Sequence, residues 1–324
     1  DIRTVQVVAR AAGDVRLELG SGAAPGGYAL EVVPTGIRLE ADATAGLFAG
    51  VQTLRQLAAN GPVPCVAIED HPRFSYRGAM LDVARHFFAV ADVKRYIDDI
   101  ALLKFNHLHL HLTDDQGWRL EILSRPELTA KGATTQVGGG GGGYAAPLYY
   151  TQDEYREIVA YAASRFITIV PEIDMPGHTN AAIVAYPELG DSPAEPYEGI
   201  EVGFSSLAIG SESTYDFIDD VVREVVDLTP GPYLHLGGDE SLSTTDEDFL
   251  TFIARATAIA AASGRTMIGW HEMGRSRDLP AGTVGQYWSF TSPQEGAAEH
   301  TLSFVEQGGR VIMSPADVAY LDMA

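Results

Sequence analysis

From about residue 77 to the end of the chain, short apolar segments alternate with amphipathic ones, and this alternation restricts the possible folds more than any other feature. The candidate strands are "GAMLDVA" (78–84), "HLHLHLT" (107–113), "ITIVPEID" (167–174), "YLHLGG" (233–238), "TMIGWHE" (266–272), "TVGQYWS" (283–289) and "RVIMSPA" (310–316). Helical spacing is read over 92–104, 152–165, 213–228, 246–262 and 293–307, between most of those strands. Strand–helix alternation implies an α/β class with a parallel sheet. Seven strands without a dinucleotide fingerprint favour a (β/α)8 TIM barrel over a doubly wound sheet.

The polar residues with chemical potential collect at the C-terminal ends of these strands: Arg85, Asp114, Asp174 with His178, Asp239 with Glu240, Trp270, Trp288 and Asp317. A random scatter would load the strand starts equally, whereas barrel enzymes place their sites at the C-terminal face. The asymmetry argues for an enzyme.

Residues 1–70 read as a small α+β domain ahead of a barrel over 71–324. "GYALEVVPTGIRLEA" reads as two strands joined by a Pro-Thr-Gly turn, and "ATAGLFAGVQTLRQLAA" as a helix stopped by Asn60-Gly61. With 324 residues, 46% of them hydrophobic, a large core is available. The net charge of −22 argues against nucleic-acid partners and anionic membrane surfaces, which call for basic patches. No apolar run approaches the ~20 residues of a membrane span. Cys65 is the only cysteine, which excludes an intrachain disulfide and a cysteine-rich metal site.

In "YLHLGGDE" (233–240) two acids stand side by side after two glycines. Glycosidases commonly use two carboxyls on opposite sides of the scissile bond, and sequence neighbours cannot do that. Either the pair is a surface accident, or only one member does the proton work. His107, His109 and His111 share one strand face, and packing with hydrogen bonding is favoured there over a metal site. Asp114 is expected to be functional and Asp115 to lie on a solvated loop. In "PEIDMPGHT" (171–179), Glu172, Asp174 and His178 either hold a divalent metal or form the surround that tunes a catalytic group. Trp270 and Trp288 suit the apolar faces of sugars. The six glycines at 138–143 lack the Gly-Lys-Ser/Thr of a phosphate loop and read as a pliable connection.

The segments "YRGAMLDVARHFF", "HLHLHLTDDQGWRLEI", "VPEIDMPGHT", "YLHLGGDE", "GWHE", "QYW" and "YLDM", in this order, closely resemble family 20 of the glycoside hydrolases, the β-N-acetylhexosaminidases, and in particular the secreted actinobacterial type. The resemblance runs from about residue 70 to the end. It implies a retaining, exo-acting enzyme that removes terminal GlcNAc or GalNAc with the substrate's own acetamido oxygen as nucleophile. It further implies Glu240 as general acid and base, and Asp239 as the partner of the acetamido N–H. Arg85 would grip the 3- and 4-hydroxyls, and Trp270 and Trp288 would wall the acetamide pocket. Tyr320 would bond the acetamido oxygen and Asp322 a hydroxyl, with Asp114 and His178 supporting Glu240. The implied partner is a small carbohydrate, with no cofactor, no metal, no nucleic acid and no membrane; the implied location is secreted or extracellular. The alternatives are a disaccharide-releasing enzyme of the same family and an inactive sugar-binding barrel.

The family continues into an eighth strand carrying a further tryptophan and a glutamate, whereas this sequence stops at Ala324. The expectation is therefore an incomplete record of a longer enzyme. The eighth strand is then absent, strands one and seven have exposed edges, and the piece alone is inactive or nearly so.

Overall fold

A computed structural model describes residues 2–3, 14–20, 24–59, 61–139, 148–294 and 296–321. Two compact units are present. The first comprises residues 1–79 together with 94–107 and 161–168. Its sheet contains β1 (Ile2–Arg3), β2 (Val15–Leu19), β3 (Tyr28–Val33), β4 (Gly36–Ala41) and β5 (Val66–Asp70), in the order β1-β5-β3-β4-β2. The expected hairpin is β3 with β4, antiparallel and closing at Val33 opposite Gly36. Tyr28, Leu30 and Val32 alternate inward on β3, as the two-residue period of a strand requires. Helix α1 (Thr44–Ala58) supplies Leu47, Val51 and Leu54 to the same core. Lys104 closes the unit from the side, its Nζ donating to Tyr28 Oη at 2.9 Å and to Asp70 Oδ2 at 3.0 Å.

The second unit comprises residues 80–93, 108–160 and 169–324. The chain order around its parallel, curled sheet is β6 (Gly78–Asp82), α2 (Val90–Leu102), β7 (His107–His111), a small hairpin of β8 (Thr113–Asp114) and β9 (Gly117–Trp118), α3 (Glu127–Ala130), α4 (Gln152–Ala163), β10 (Thr168–Glu172), α5 (Asn180–Ala185), α6 (Glu212–Leu228), β11 (Tyr233–His235), α7 (Asp246–Ala262), β12 (Thr266–Trp270), β13 (Val284–Tyr287), α8 (Ala297–Glu306), β14 (Arg310–Met313) and α9 (Ala316–Ala319). The sheet runs β14-β13-β12-β11-β10-β7-β6, so each strand lies beside its sequence neighbours, which is the winding of a TIM-type barrel. Among the described residues β6 and β14 each pair on one side only. They are also partly exposed, whereas β12 and β13 are buried along almost their whole length, as parallel strands covered on both faces are.

Each predicted strand starts within one residue of the observed one and ends two or three residues too late. The surplus residues, such as Ile173-Asp174, Leu236–Gly238 and His271-Glu272, follow the strand ends. Only Gly138 and Gly139 of the six-glycine run fall among the described residues.

Candidate active site

Strand β11 ends at His235, and the chain passes through Leu236 into Gly237 and Gly238, both left-handed at φ +68° and +95°. A Cβ on Gly237 would sit 1.6 Å from Asp174 Oδ1, so no other residue fits there. Gly238 N–H donates to Asp174 Oδ1 at 3.1 Å, and Gly237 N–H donates to His235 Nδ1 at 3.0 Å. This turn brings Asp239 and Glu240 out side by side. Glu240 itself stands at φ +39°, a conformation that costs a side-chain-bearing residue about 1–2 kcal/mol and concentrates at functional positions.

His178, on the segment after β10, is wholly buried and lies between two groups of carboxylates. Its Nδ1 is 3.2 Å from Asp114 Oδ1. Its Nε2 is 3.6 Å from Asp239 Oδ2 and 3.7 Å from Glu240 Oε2, and has no hydrogen-bond partner among the described residues. Asp114 Oδ2 takes His111 Nε2 at 2.6 Å and Arg85 Nη1 at 2.9 Å. Arg85 is braced by Asp82, whose Oδ2 accepts from Nη1 at 3.0 Å and whose Oδ1 accepts the Ala84 and Arg85 backbone N–H groups. Beneath this loop the buried Arg119 donates to the carbonyls of Val83, Ala84, Thr135 and Leu148.

The charges divide by environment. Burial would raise Asp114, but the Arg85 and His178 cations hold it far below the usual carboxylate range. Burial would depress His178, yet the Asp114 and Asp239 charges hold it well above an ordinary imidazole. Glu240 is raised, first by burial and then by the Asp239 charge, so it keeps its proton to higher pH. Asp174 is raised well above its ordinary value by the same two causes.

Trp270 ends β12 only 4% exposed, and its indole N–H donates to Glu172 Oε1 at 2.8 Å. Trp288 is half-buried, and its N–H forks to both oxygens of Glu272 at 3.0 Å. Burial, followed by the Asp239 charge, pushes Glu272 up to about 8. Glu172, fully buried, receives His109 Nε2 at 2.8 Å and His111 Nδ1 at 2.6 Å on its other oxygen. His109 and His111 are therefore packed and hydrogen-bonded, as the sequence favoured, while His107 stacks on Tyr76 with ring centroids 4.1 Å apart.

Arg85, Asp114, His178, Asp239 and Glu240 thus form one connected cluster, with Trp270 and Trp288 joined to the site by glutamates. Tyr320 follows α9 beyond the seventh strand, half-buried, and Asp322 lies outside the described residues. Two expectations need correction. Asp115 is not on a solvated loop; it is buried, its Oδ1 accepting from Ser205 Oγ and Asn180 N–H. Asp317 is exposed and secures a loop by accepting from Thr291 N–H and Oγ1, rather than joining the cluster. Sequence reasoning gave no role to Glu272 or Arg119. The "GWHE" motif could have flagged Glu272, an acid directly after a strand end; nothing in sequence shows that Arg119 reaches four carbonyls.

The family model described as the catalytic domain of glycosyl hydrolase family 20 matches residues 74–324, and that of domain 2 of the same family matches residues 1–71. The beta-N-acetylhexosaminidase of Cellulomonas fimi is 43% identical over 318 residues, covering 95% of this chain and 62% of that protein. The N,N'-diacetylchitobiase of Vibrio harveyi is 34% identical over 266 residues, covering 68% of this chain and 30% of that protein. The solved structure of Streptomyces plicatus N-acetyl-beta-hexosaminidase in complex with thio-NAglucal superposes with a TM-score of 0.90 at 48% identity, covering 95% of this chain and 64% of that one. The chain therefore spans less than two thirds of the length of these relatives.

Proposed function

Because this chain belongs to glycosyl hydrolase family 20, we propose that it carries the acid–base centre of a retaining exo-β-N-acetylhexosaminidase acting on terminal GlcNAc or GalNAc of chitin-type oligosaccharides or glycans. The observation that carries this reading is the adjacent Asp239–Glu240 pair at a strand end, both carboxylates facing one nitrogen of the buried His178. Two carboxyls so close cannot stand on opposite faces of a sugar. One can face the leaving oxygen while the other faces the acetamide.

In this reading Glu240, protonated in the resting site, gives its proton to the leaving oxygen as the acetamido oxygen attacks the anomeric carbon. The attack forms an oxazolinium ion and breaks the glycosidic bond. Asp239 accepts from the acetamido N–H and offsets the positive charge that develops there, an interaction that strengthens toward the transition state. Glu240, now ionised, then takes a proton from the water that opens the ring, which returns the β configuration. Arg85, fixed by Asp82 and Asp114, presents its planar fork to the sugar hydroxyls. Trp270 and Trp288 hold the acetyl group near attack geometry. Tyr320 and Asp322 are proposed to contact the acetamido oxygen and a hydroxyl. A secreted or extracellular location is proposed on the same family resemblance.

The test is hydrolysis by the protein at its natural length of matched aryl β-N-acetylglucosaminide and β-glucoside. Turnover of the first with almost none of the second supports the reading; comparable turnover of both refutes it.

A further inference from the structure

We propose that Glu172 is a positioning residue, its two oxygens tying the Trp270 wall of the site to the carboxylate–imidazole chain that ends at Glu240. The inference rests on the proposed hexosaminidase reading for its catalytic consequence, but not for its geometry. Oε1 accepts the Trp270 indole N–H at 2.8 Å. Oε2 is 2.6 Å from His111 Nδ1 and 2.8 Å from His109 Nε2. From His111 the chain runs through Nε2 to Asp114 Oδ2 at 2.6 Å, through Asp114 Oδ1 to His178 Nδ1 at 3.2 Å, and from His178 Nε2 toward Asp239 and Glu240.

Both ring nitrogens of His111 thus face carboxylate oxygens at short range. A neutral imidazole has one N–H and can satisfy only one of them. With both carboxyls ionised, two contacts of 2.6 Å call for two N–H groups, which makes His111 an imidazolium held between Glu172 and Asp114; Arg85 Nη1, 3.0 Å from Nε2, converges with it on the same Asp114 oxygen. The charged and titratable groups facing it are Glu172 and Asp174 from the end of β10, Asp114 from β8, and Arg85 and Asp82 from the end of β6. His109 shares Glu172 from the same strand.

The consequence is directional. With His111 and Arg85 both on Asp114 Oδ2, it is Oδ1 that meets His178 Nδ1. That contact makes Nδ1 a donor and turns Nε2 toward the two catalytic acids. Glu172 therefore sets the proton on His111, His111 sets the orientation of Asp114, and Asp114 sets the ring orientation of His178. The same carboxylate fixes the angle of the Trp270 indole. An amide at position 172 cannot serve both ends, because its nitrogen would meet either the indole N–H or the His111 N–H as another donor.

The experiment uses the natural-length protein with 15N-labelled histidine and tryptophan, and Glu172→Gln, His111→Gln and Trp270→Phe variants. In the unaltered protein at neutral pH, two buried histidines, His111 and His178, should show both ring nitrogens protonated, and the signal that is absent from His111→Gln belongs to His111. Glu172→Gln should lose that doubly protonated signal, move the Trp270 N–H resonance, lower kcat/KM on the order of 10²-fold and displace a limb of the pH–rate profile. His111→Gln should displace the limb and leave the Trp270 resonance in place; Trp270→Phe should leave His111 doubly protonated. A singly protonated His111 in the unaltered protein would overturn the proposal. So would a Glu172→Gln profile of reduced height but unchanged pH dependence. Should Glu172→Gln fail to fold, the resonances of the unaltered protein and the profile of His111→Gln decide alone. Absence of turnover in the unaltered protein would count against the hexosaminidase reading, while the resonances would still judge the geometry.

Discussion

His178 Nε2 lies 3.7 Å from Glu240 Oε2 while the opposite nitrogen of the same ring is held 3.2 Å from Asp114. A cation so placed opposes the effects of burial and Asp239 on Glu240. Glu240 stays raised, and in the proposed reaction this proton is the one given to the leaving oxygen.

Glu240→Gln is expected to cost about 10²–10⁴-fold in kcat on substrates with poor leaving groups, the usual range for general acid catalysis. Activated aryl glycosides should lose much less in the bond-breaking step. Pre-steady-state rates for a series of leaving groups measure this, and equal losses along the series would remove Glu240 from the acid role.

Asp239→Asn should lower kcat more than it raises KM, because the charge matters most as the intermediate forms. It should also shift the pH profile. In the proposed role Glu240 must be protonated to act, so activity falls as pH rises through its pKa. The Asp239 charge raises that pKa; its removal should bring the basic limb to lower pH. A limb that stays in place would mean that another group sets it.

Gly237→Ala should be among the most damaging single-methyl additions in this chain. The new Cβ would meet Asp174 Oδ1 at 1.6 Å with the backbone at φ +68°. A loss of ~2–4 kcal/mol is expected from strain and the displaced carboxyl, with a fall in Tm and in activity together. Gly264→Ala, also at positive φ but with open space around it, separates backbone strain from the clash.

Glu272 gives a stability prediction. Its folded pKa is raised to about 8, by burial and then by the Asp239 charge. A raised pKa means that the folded state holds the proton over a range where the unfolded state has lost it. The contribution is present below the unfolded value of ~4.3 and is lost as pH rises toward 8. Unfolding free energy should therefore decline between about pH 4.5 and 8, on the order of a few kcal/mol. Glu272→Gln should flatten the decline, as followed by denaturant titrations at several pH values. An unchanged slope would show that other groups carry it.

Much of this was legible in sequence because strand–helix alternation and the ordering of polar residues at strand ends are local signals. The Asp239–Glu240 pair, the His107–His111 face and the β3–β4 turn could be read from spacing alone. The strand ends could not, because "LHLGG" is apolar enough to continue a strand, whereas the chain turns through left-handed Gly237 and Gly238 packed against Asp174. Asp115 was misjudged for a related reason: its partners Ser205 and Asn180 lie 90 and 65 residues away. The Glu172 hub was equally hidden, since it joins β10, β7 and the end of β12, and no local pattern reports which strands meet.

The claim that the substrate's acetamide is the nucleophile is tested most directly by aryl glycosides of glucosamine bearing acetyl, fluoroacetyl, difluoroacetyl and trifluoroacetyl groups, assayed with the natural-length protein. Each fluorine withdraws electrons from the carbonyl oxygen and weakens it as a nucleophile, with little change in shape. Substrate-assisted catalysis predicts a steep, monotonic fall in kcat/KM along the series. A flat response, together with a sugar trapped covalently on an Asp or Glu, would contradict it and assign the nucleophile to the protein.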